Sequence, residues 1–253
     1  MRFTDTRVLV TGAGSGIGRA TCLAFGKEGA ALAAADVDLE AARASLDTLA
    51  DTGAKAVAVQ LDVTRPDSVT AAVDHAVAEL GGLDILVNSA GVREIVAFLE
   101  LDFAEWQRVI ATNLSGTFLC SQTVARHMIA QGRGGKIVNL ASVAGLVGVP
   151  NRAAYVSSKH AVVGLTKEMA MELAEHDIQV NAVAPGVVET GMTAGYFDDP
   201  NVVASLRRLH PAGRWAQPEE IANLILFLAS AEAHFITGAT YPIDGGFMAG
   251  KSF

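Results

Sequence analysis

The sequence predicts an α/β fold, a doubly wound and mainly parallel sheet of seven strands flanked by helices on both faces. Three observations carry that expectation. Short apolar runs alternate with longer helical patterns from one end of the chain to the other. The runs are nearly continuous in hydrophobicity, as in strands covered on both sides. The first run ends in a cluster of glycines that opens into a helical pattern. A chain of 253 residues fits one such unit, and a hydrophobic content of 51% supplies a large core. No Pro/Ser-rich linker, low-complexity tract or fixed-period repeat divides it, so one domain is expected over residues 1–253.

In chain order the strands are expected at 7–11, 30–35, 54–62, 84–88, 136–142, 179–184 and 240–243, where β-branched and apolar residues concentrate. Helical spacing occupies 19–28, 65–80, 103–130 and 153–176 between them. From 187 to about 213 the periodicity fades and Gly191, Gly195, Asp198, Asp199 and Pro200 collect. A stretch of this length after a strand's carboxyl end reads as a substrate lid, because ligands of open α/β sheets bind at that edge; a disordered surface excursion is the alternative.

Composition excludes several classes. The net charge is −8, and the largest basic run is Arg207-Arg208, so a polyanion such as nucleic acid is not an expected partner. The longest strongly apolar run, 221–229, is too short to span a bilayer, and the first five residues carry no apolar signal segment. Cys22 and Cys120 lie in apolar stretches without CxxC spacing, which suits free thiols in a reducing cytoplasm. The six histidines lack ligand spacing, so no metal is expected. Charged residues make up only 18%, which leaves surface for subunit contacts and a homo-oligomer.

The glycine cluster is Thr11-Gly12-Ala13-Gly14-Ser15-Gly16-Ile17-Gly18. Strand, glycine turn and helix in that order set backbone N–H groups and a helix N-terminus against a pyrophosphate. Counted from Gly12, GxGxxG fails because Ile17 stands where its third glycine would fall; GxxxGxG fits, on Gly12, Gly16 and Gly18. Asp36 follows 18 residues after Gly18, at the end of the second run. A carboxylate there accepts hydrogen bonds from ribose hydroxyls and repels a 2′-phosphate, which favours NAD over NADP; a turn or cap aspartate is compatible with the same position.

Tyr155 and Lys159 stand at i and i+4 on an expected helix and so share a face. A nearby ammonium stabilises a phenolate, which lets a tyrosine exchange protons near neutral pH. The spacing alone is common on exposed helices. Three further positions lend it weight: Ser142 at the end of the fifth run, Asn113 inside the helical stretch before it, and Asn88-Ser89-Ala90-Gly91 closing the fourth run. A cap, a core amide and a turn would explain them equally when each is taken singly.

Taken together, these residues resemble the short-chain dehydrogenase/reductase family over residues 5 to 247, with Pro185-Gly186 and Asp244-Gly245-Gly246 extending the match. The one departure is Ser89, where the family usually has asparagine. The resemblance implies a Rossmann-type domain and an NAD-dependent oxidoreductase that moves a hydride between the cofactor and a small secondary alcohol or ketone. It implies that Tyr155 is the general acid/base, Lys159 binds the nicotinamide ribose and lowers the tyrosine pKa, Ser142 holds the substrate oxygen, and Asn113 anchors a water. It further implies that Gly12, Ser15, Gly16, Ile17 and Gly18 hold the phosphates, that Asp62 and Val63 contact adenine, that Asn88, Ala90 and Gly91 border the adenosine side, and that Pro185, Gly186, Val188 and Thr190 hold the nicotinamide end. A cytoplasmic homotetramer is the usual assembly.

The substrate is less legible. Val143, Ala144, Leu146, Val147, Val149 and Met192 suggest a modest, largely apolar ligand. Arg93 and Arg152 flank the same edge and could bind a carboxylate, as in hydroxyacid dehydrogenases similar to 3-hydroxybutyrate dehydrogenase; a surface role, or pairing of Arg93 with Glu94, is the alternative. A 3-oxoacyl-carrier-protein reductase and a catalytically silent nucleotide-binding scaffold are the rival functions.

Overall fold

The computed structural model describes residues 1–49 and 53–250. The domain expected over 1–253 therefore includes two short segments, 50–52 and 251–253, that lie outside the described residues. Seven strands form one sheet, β1 (Arg7–Thr11), β2 (Ala31–Asp36), β3 (Ala56–Gln60), β4 (Ile85–Asn88), β5 (Gly135–Leu140), β6 (Ile178–Pro185) and β7 (Thr240–Ile243). Their order is β3-β2-β1-β4-β5-β6-β7 and every neighbouring pair is parallel. Pro242, which lacks a donor for the ladder, sits in the edge strand β7.

The pleat divides the core. Leu9 and Leu86 enter one apolar cluster, and Val8, Val10, Ile85 and Val87 enter the other. On the first face lie α3 (Pro66–Leu80), α5 (Gly116–Gln131) and α6 (Ala153–Leu173). On the second lie α1 (Gly16–Lys27) and α8 (Pro218–Ala229), which pack on each other through residues such as Phe25, Ile221 and Ile225. Burying each such side chain contributes about 1.5–3 kcal/mol before the entropic cost of ordering it.

Several expected boundaries shift. The run 54–62 contributes only Ala56–Gln60 to the sheet, and 136–142 is Gly135–Leu140, so Ser142 lies two residues beyond its strand. The stretch 103–130 is not one helix: α4 (Phe103–Ile110) passes through a π-turn, Ala111–Ser115, into α5. Residues 174–176 leave α6 as a 3₁₀ turn. α2 (Leu39–Asp47), capped by the Asp38 side chain on the Ala41 amide, stands outside the helical stretches singled out from sequence.

The segment 187–213 is ordered rather than structureless. Val188 bridges Ala216, a 3₁₀ turn spans Gly191–Tyr196, and α7 (Pro200–Leu209) follows, with Asp199 as its cap and Pro200 at its first position. Val202, Leu206 and Leu209 fall at i, i+4 and i+7 and face the cleft described next. The stripe is short, and the glycines and aspartates before it mask its period.

Candidate active site

The chain winds from β1 to β2 and β3, then crosses back over β1 to β4. The winding order of the strands therefore reverses between β1 and β4, and a crevice opens outside the strands' carboxyl ends. A cleft of about 1100 Å³ occupies that place. Loops following β1 through β6 all reach it, because the parallel register aligns Thr11 with Asn88 and Asn88 with Asn139 at one edge.

The phosphate end is built from the β1–α1 turn. Gly12 and Gly16 take φ of 67° and 51°, a region that side chains rarely adopt, and a Cβ on Gly12 would lie 2.7 Å from the Ala90 backbone. Thr11 Oγ1 accepts the amides of Ser89 and Ala90 at 3.1 and 3.2 Å, which ties the turn to the loop after β4. No side chain caps α1, and its first turn carries no acidic residue, so its N-terminal amides face the cleft beside Ser15, Gly16, Ile17 and Gly18. That donor set fits an anionic diphosphate. Asp36 also lines the cleft; it accepts the Gly14 amide at 2.8 Å on one oxygen and the Asp38 amide at 3.0 Å on the other, which fixes the carboxylate while leaving lone pairs free. Asp62, Val63, Ala90, Gly91, Pro185, Gly186, Val188 and Thr190 line it too. The set present suits a dinucleotide.

Asn88 does not reach the cleft. It is buried, with its amide donating to Ser121 Oγ at 2.8 Å and Asn139 Oδ1 at 2.9 Å, and Asn139 continues to Thr166 Oγ1 at 2.9 Å. The side chain joins β4 to α5 and β5; its neighbour Ser89 borders the cavity in its place.

Ser142, Tyr155 and Lys159 converge at the other end. Ser142 caps a 3₁₀ turn, Val143–Gly145, by accepting the Ala144 amide at 3.1 Å, and also shares a hydrogen bond with the Tyr155 phenol. The turn presses onto α6 so closely that a Cβ on Gly145 would lie 2.6 Å from the Lys159 carbonyl oxygen. Lys159 is buried, donates to the Leu140 carbonyl at 2.6 Å, and is pulled down to about 8 by burial. Tyr155 is pushed above the usual tyrosine range by burial, an effect opposed by the Ser142 hydrogen bond and by the Arg93 and Arg152 charges. Lys159, whose Nζ lies 5.7 Å from the tyrosine ring centroid, is not among the groups that lower it.

Asn113 sits in the π-turn, fully buried and outside the cleft lining. Its Oδ1 accepts the Val92 amide at 2.8 Å, and its Nδ2 donates to the Val92 carbonyl at 2.9 Å and Ser158 Oγ at 3.1 Å. A Cβ on Gly91 would meet both Asn113 Oδ1 at 3.4 Å and Lys159 Nζ at 3.7 Å. The amide thus braces the loop after β4 against α6, beside the lysine.

Three residues take roles that the sequence reading does not give them. Glu94, 3% exposed, accepts the amides of Ala154 and Tyr155 at 2.8 and 3.1 Å, so its carboxylate caps α6 from across 60 residues. It forms no ion pair with Arg93. Tyr196 places its hydroxyl between the Arg93 and Arg152 guanidiniums and accepts from both. His210, at the end of α7, is buried against Phe247 and accepts the Val187 amide. Ala144, Val149 and Met192 line the same cleft as Ser142 and Tyr155.

A family model described as enoyl-(acyl carrier protein) reductase matches residues 12–248. A cis-4-hydroxycyclohexanecarboxylate dehydrogenase from Sinomonas cyclohexanicum is 45% identical over 248 residues, covering 98% of both chains. A 3-oxoacyl-[acyl-carrier-protein] reductase from Thermotoga maritima is 42% identical over 252 residues, covering 98% of this chain and all of that one. The crystal structure of a short-chain type dehydrogenase/reductase from Mycobacterium marinum superposes with a TM-score of 0.93 at 40% identity, covering 98% of this chain and 97% of that one. The chain belongs to the short-chain dehydrogenase/reductase family. It is an oxidoreductase of CH–OH groups that works with a nicotinamide cofactor. Among the described residues no group of histidines, cysteines and carboxylates is arranged to hold a metal, and no helix is long and apolar enough to cross a membrane. Cys22 and Cys120 are free and buried, and burial pushes both thiols up to about 12, so neither supplies a thiolate nucleophile.

Proposed function

We propose that this short-chain dehydrogenase/reductase interconverts a small secondary alcohol and its ketone with NAD. The observation that carries the reading is the convergence of Ser142, Tyr155 and Lys159 on one end of a cleft whose other end is shaped for a diphosphate. A bound nicotinamide supplies the hydride acceptor in oxidation and the donor in reduction. Ser142 donates to the substrate oxygen and holds it beside the Tyr155 phenol. In oxidation Tyr155 acts as the phenolate and takes the hydroxyl proton as the carbon–hydrogen bond gives up its hydride; in reduction the phenol returns the proton to the oxygen and is left as phenolate. Lys159 and the Asn113-braced loop hold the ribose and keep the lysine in place. Val149, Ala144 and Met192 enclose an apolar substrate body, and α7 with the turn before it closes over the site as a lid.

NAD is favoured over NADP because the Asp36 carboxylate, fixed by two amides, faces the cleft next to Val37 rather than a cation. The same feature weighs against the carrier-protein reductase reading, whose enzymes generally use NADP. The complete set of Ser142, Tyr155 and Lys159 weighs against a silent scaffold. The reading places the enzyme in the cytoplasm as a homotetramer.

Tyr155→Phe tests the assignment. Turnover of secondary alcohols, followed by NADH absorbance, falls by about 10²-fold or more while NAD affinity changes little. A variant that keeps most of its rate removes Tyr155 from the chemistry.

A further inference from the structure

Two guanidiniums meet on a single hydroxyl at the substrate end of the cleft. Arg93 and Arg152 both donate to the Tyr196 oxygen, and Arg93 donates in addition to the Met192 carbonyl. Their guanidinium carbons lie 4.6 and 5.9 Å from the Tyr196 ring centroid. Among the described residues neither arginine forms an ion pair. The adjacent carboxylate, Glu94, is spent on the α6 amides. All three side chains line the cavity and are only half-buried, and both charges act on the Tyr155 phenol, so the pair faces the reacting end.

Two cations with no counter-charge, sharing one neutral acceptor in a partly enclosed space, form an incomplete arrangement. Repulsion between them is weakly offset by a phenol, whereas a carboxylate offers two oxygens that guanidinium forks match in geometry. Each arginine is also held from its own backbone side. Arg152 donates to the Pro150 carbonyl at 3.1 Å, and the Arg93 carbonyl accepts from Arg108 at 3.2 Å. The two are therefore built into place rather than trailing in solvent.

We propose that Arg93 and Arg152 bind a carboxylate on the substrate, which makes the enzyme a dehydrogenase of hydroxy acids, and that the Tyr196 hydroxyl occupies the carboxylate position until substrate displaces it. Tyr196 and Met192 belong to the 3₁₀ turn Gly191–Tyr196, so the displacement couples anion binding to the segment that leads into α7. The inference deepens the alcohol-dehydrogenase reading and rests on it for the chemistry, but the anion site stands or falls on binding alone.

The test measures calorimetric binding of acetate, 3-hydroxybutyrate and cyclohexanecarboxylate, each beside its uncharged amide, to the enzyme with NAD in an anion-poor buffer. At least one carboxylate binds about tenfold or more tightly than its amide, a preference that shrinks in Arg93→Gln and in Arg152→Gln and vanishes in the double variant. Tyr196→Phe, which removes the competing acceptor, keeps or strengthens it. Equal affinities for every acid and amide overturn the proposal, as does a preference that survives in the double variant; thermal melting with NAD reports whether each variant is folded. Oxidation of cyclohexanol, 3-hydroxybutyrate and 4-hydroxycyclohexanecarboxylate by the unaltered enzyme is followed in parallel. Turnover without carboxylate preference sinks the anion site alone, and carboxylate preference in an enzyme that oxidises no alcohol or hydroxy acid sinks the dehydrogenase reading alone.

Discussion

At the scale of single residues, burial decides how the two titrating groups behave. Lys159 is 5% exposed, and desolvation brings it to about 8 from an ordinary value of 10.5. Between these values the unfolded chain holds a proton that the folded one has released, so native stability rises with pH across that window. Below pH 8 both states hold the proton and the contribution is flat. Relative to Lys159→Met, the unaltered protein therefore gains about 2 kcal/mol between pH 7 and pH 9.5. Urea denaturation of both at the two pH values checks this, and a constant difference between them contradicts it. Asp36 acts by charge and position. Asp36→Ala removes a carboxylate that repels a 2′-phosphate, and the ratio of kcat/KM for NADP over NAD rises by about tenfold or more. An unchanged ratio means that Asp36 does not read the ribose.

At the scale of elements, the catalytic helix depends on a cap that its own sequence lacks. Arg152 at the N-terminus of α6 makes no side-chain cap, and no acidic residue occupies the first turn. Glu94 serves both purposes, since its carboxylate accepts two orphan amides and opposes the helix dipole at the residue that carries Tyr155. Glu94→Ala leaves those amides buried without partners and costs about 1–2 kcal/mol of stability. It also loosens Tyr155, so kcat falls about tenfold or more while the KM for NAD holds. Glu94→Gln keeps an acceptor and restores most of kcat, which a merely destabilising role would not produce; equal losses in both variants would falsify the positioning role. The π-turn at Ala111–Ser115 is a second device of this kind, since it turns Asn113 inward from a stretch whose 3.6-residue pattern otherwise reads as one helix.

At the scale of the whole molecule, Phe98 and Leu99 in the 3₁₀ turn before α4 and Phe103 at its start are 76%, 89% and 70% exposed, and Phe118 on α5 is exposed as well. Large apolar side chains in such density on one chain read as a subunit contact. The homotetramer proposed above predicts a light-scattering mass of four times the 26.2 kDa chain, and Leu99→Asp combined with Phe103→Asp is expected to shift it to smaller species. A single-chain mass for the unaltered protein rules out the tetramer.

The sheet, the glycine turn and the Tyr155–Lys159 pair are legible along the chain, because each rests on local order: apolar runs of strand length, glycines at fixed spacing, two residues one helical turn apart. The same locality explains why β4 and β6 fall almost where their hydrophobic runs place them. Tertiary structure alone decided the rest. Asn88 looks like a cofactor contact in sequence, yet the sheet register puts Asn139 beside it and turns its amide into the core. Glu94 and Tyr196 acquire their roles from partners 60 and 103 positions away, at separations where no periodicity exists to be read. The same holds for the acidity of the tyrosine. Burial raises the phenol's pKa, the Ser142 hydroxyl and two arginines that only the folded loops bring to it act the other way, and the lysine four residues along the helix donates to the Leu140 carbonyl.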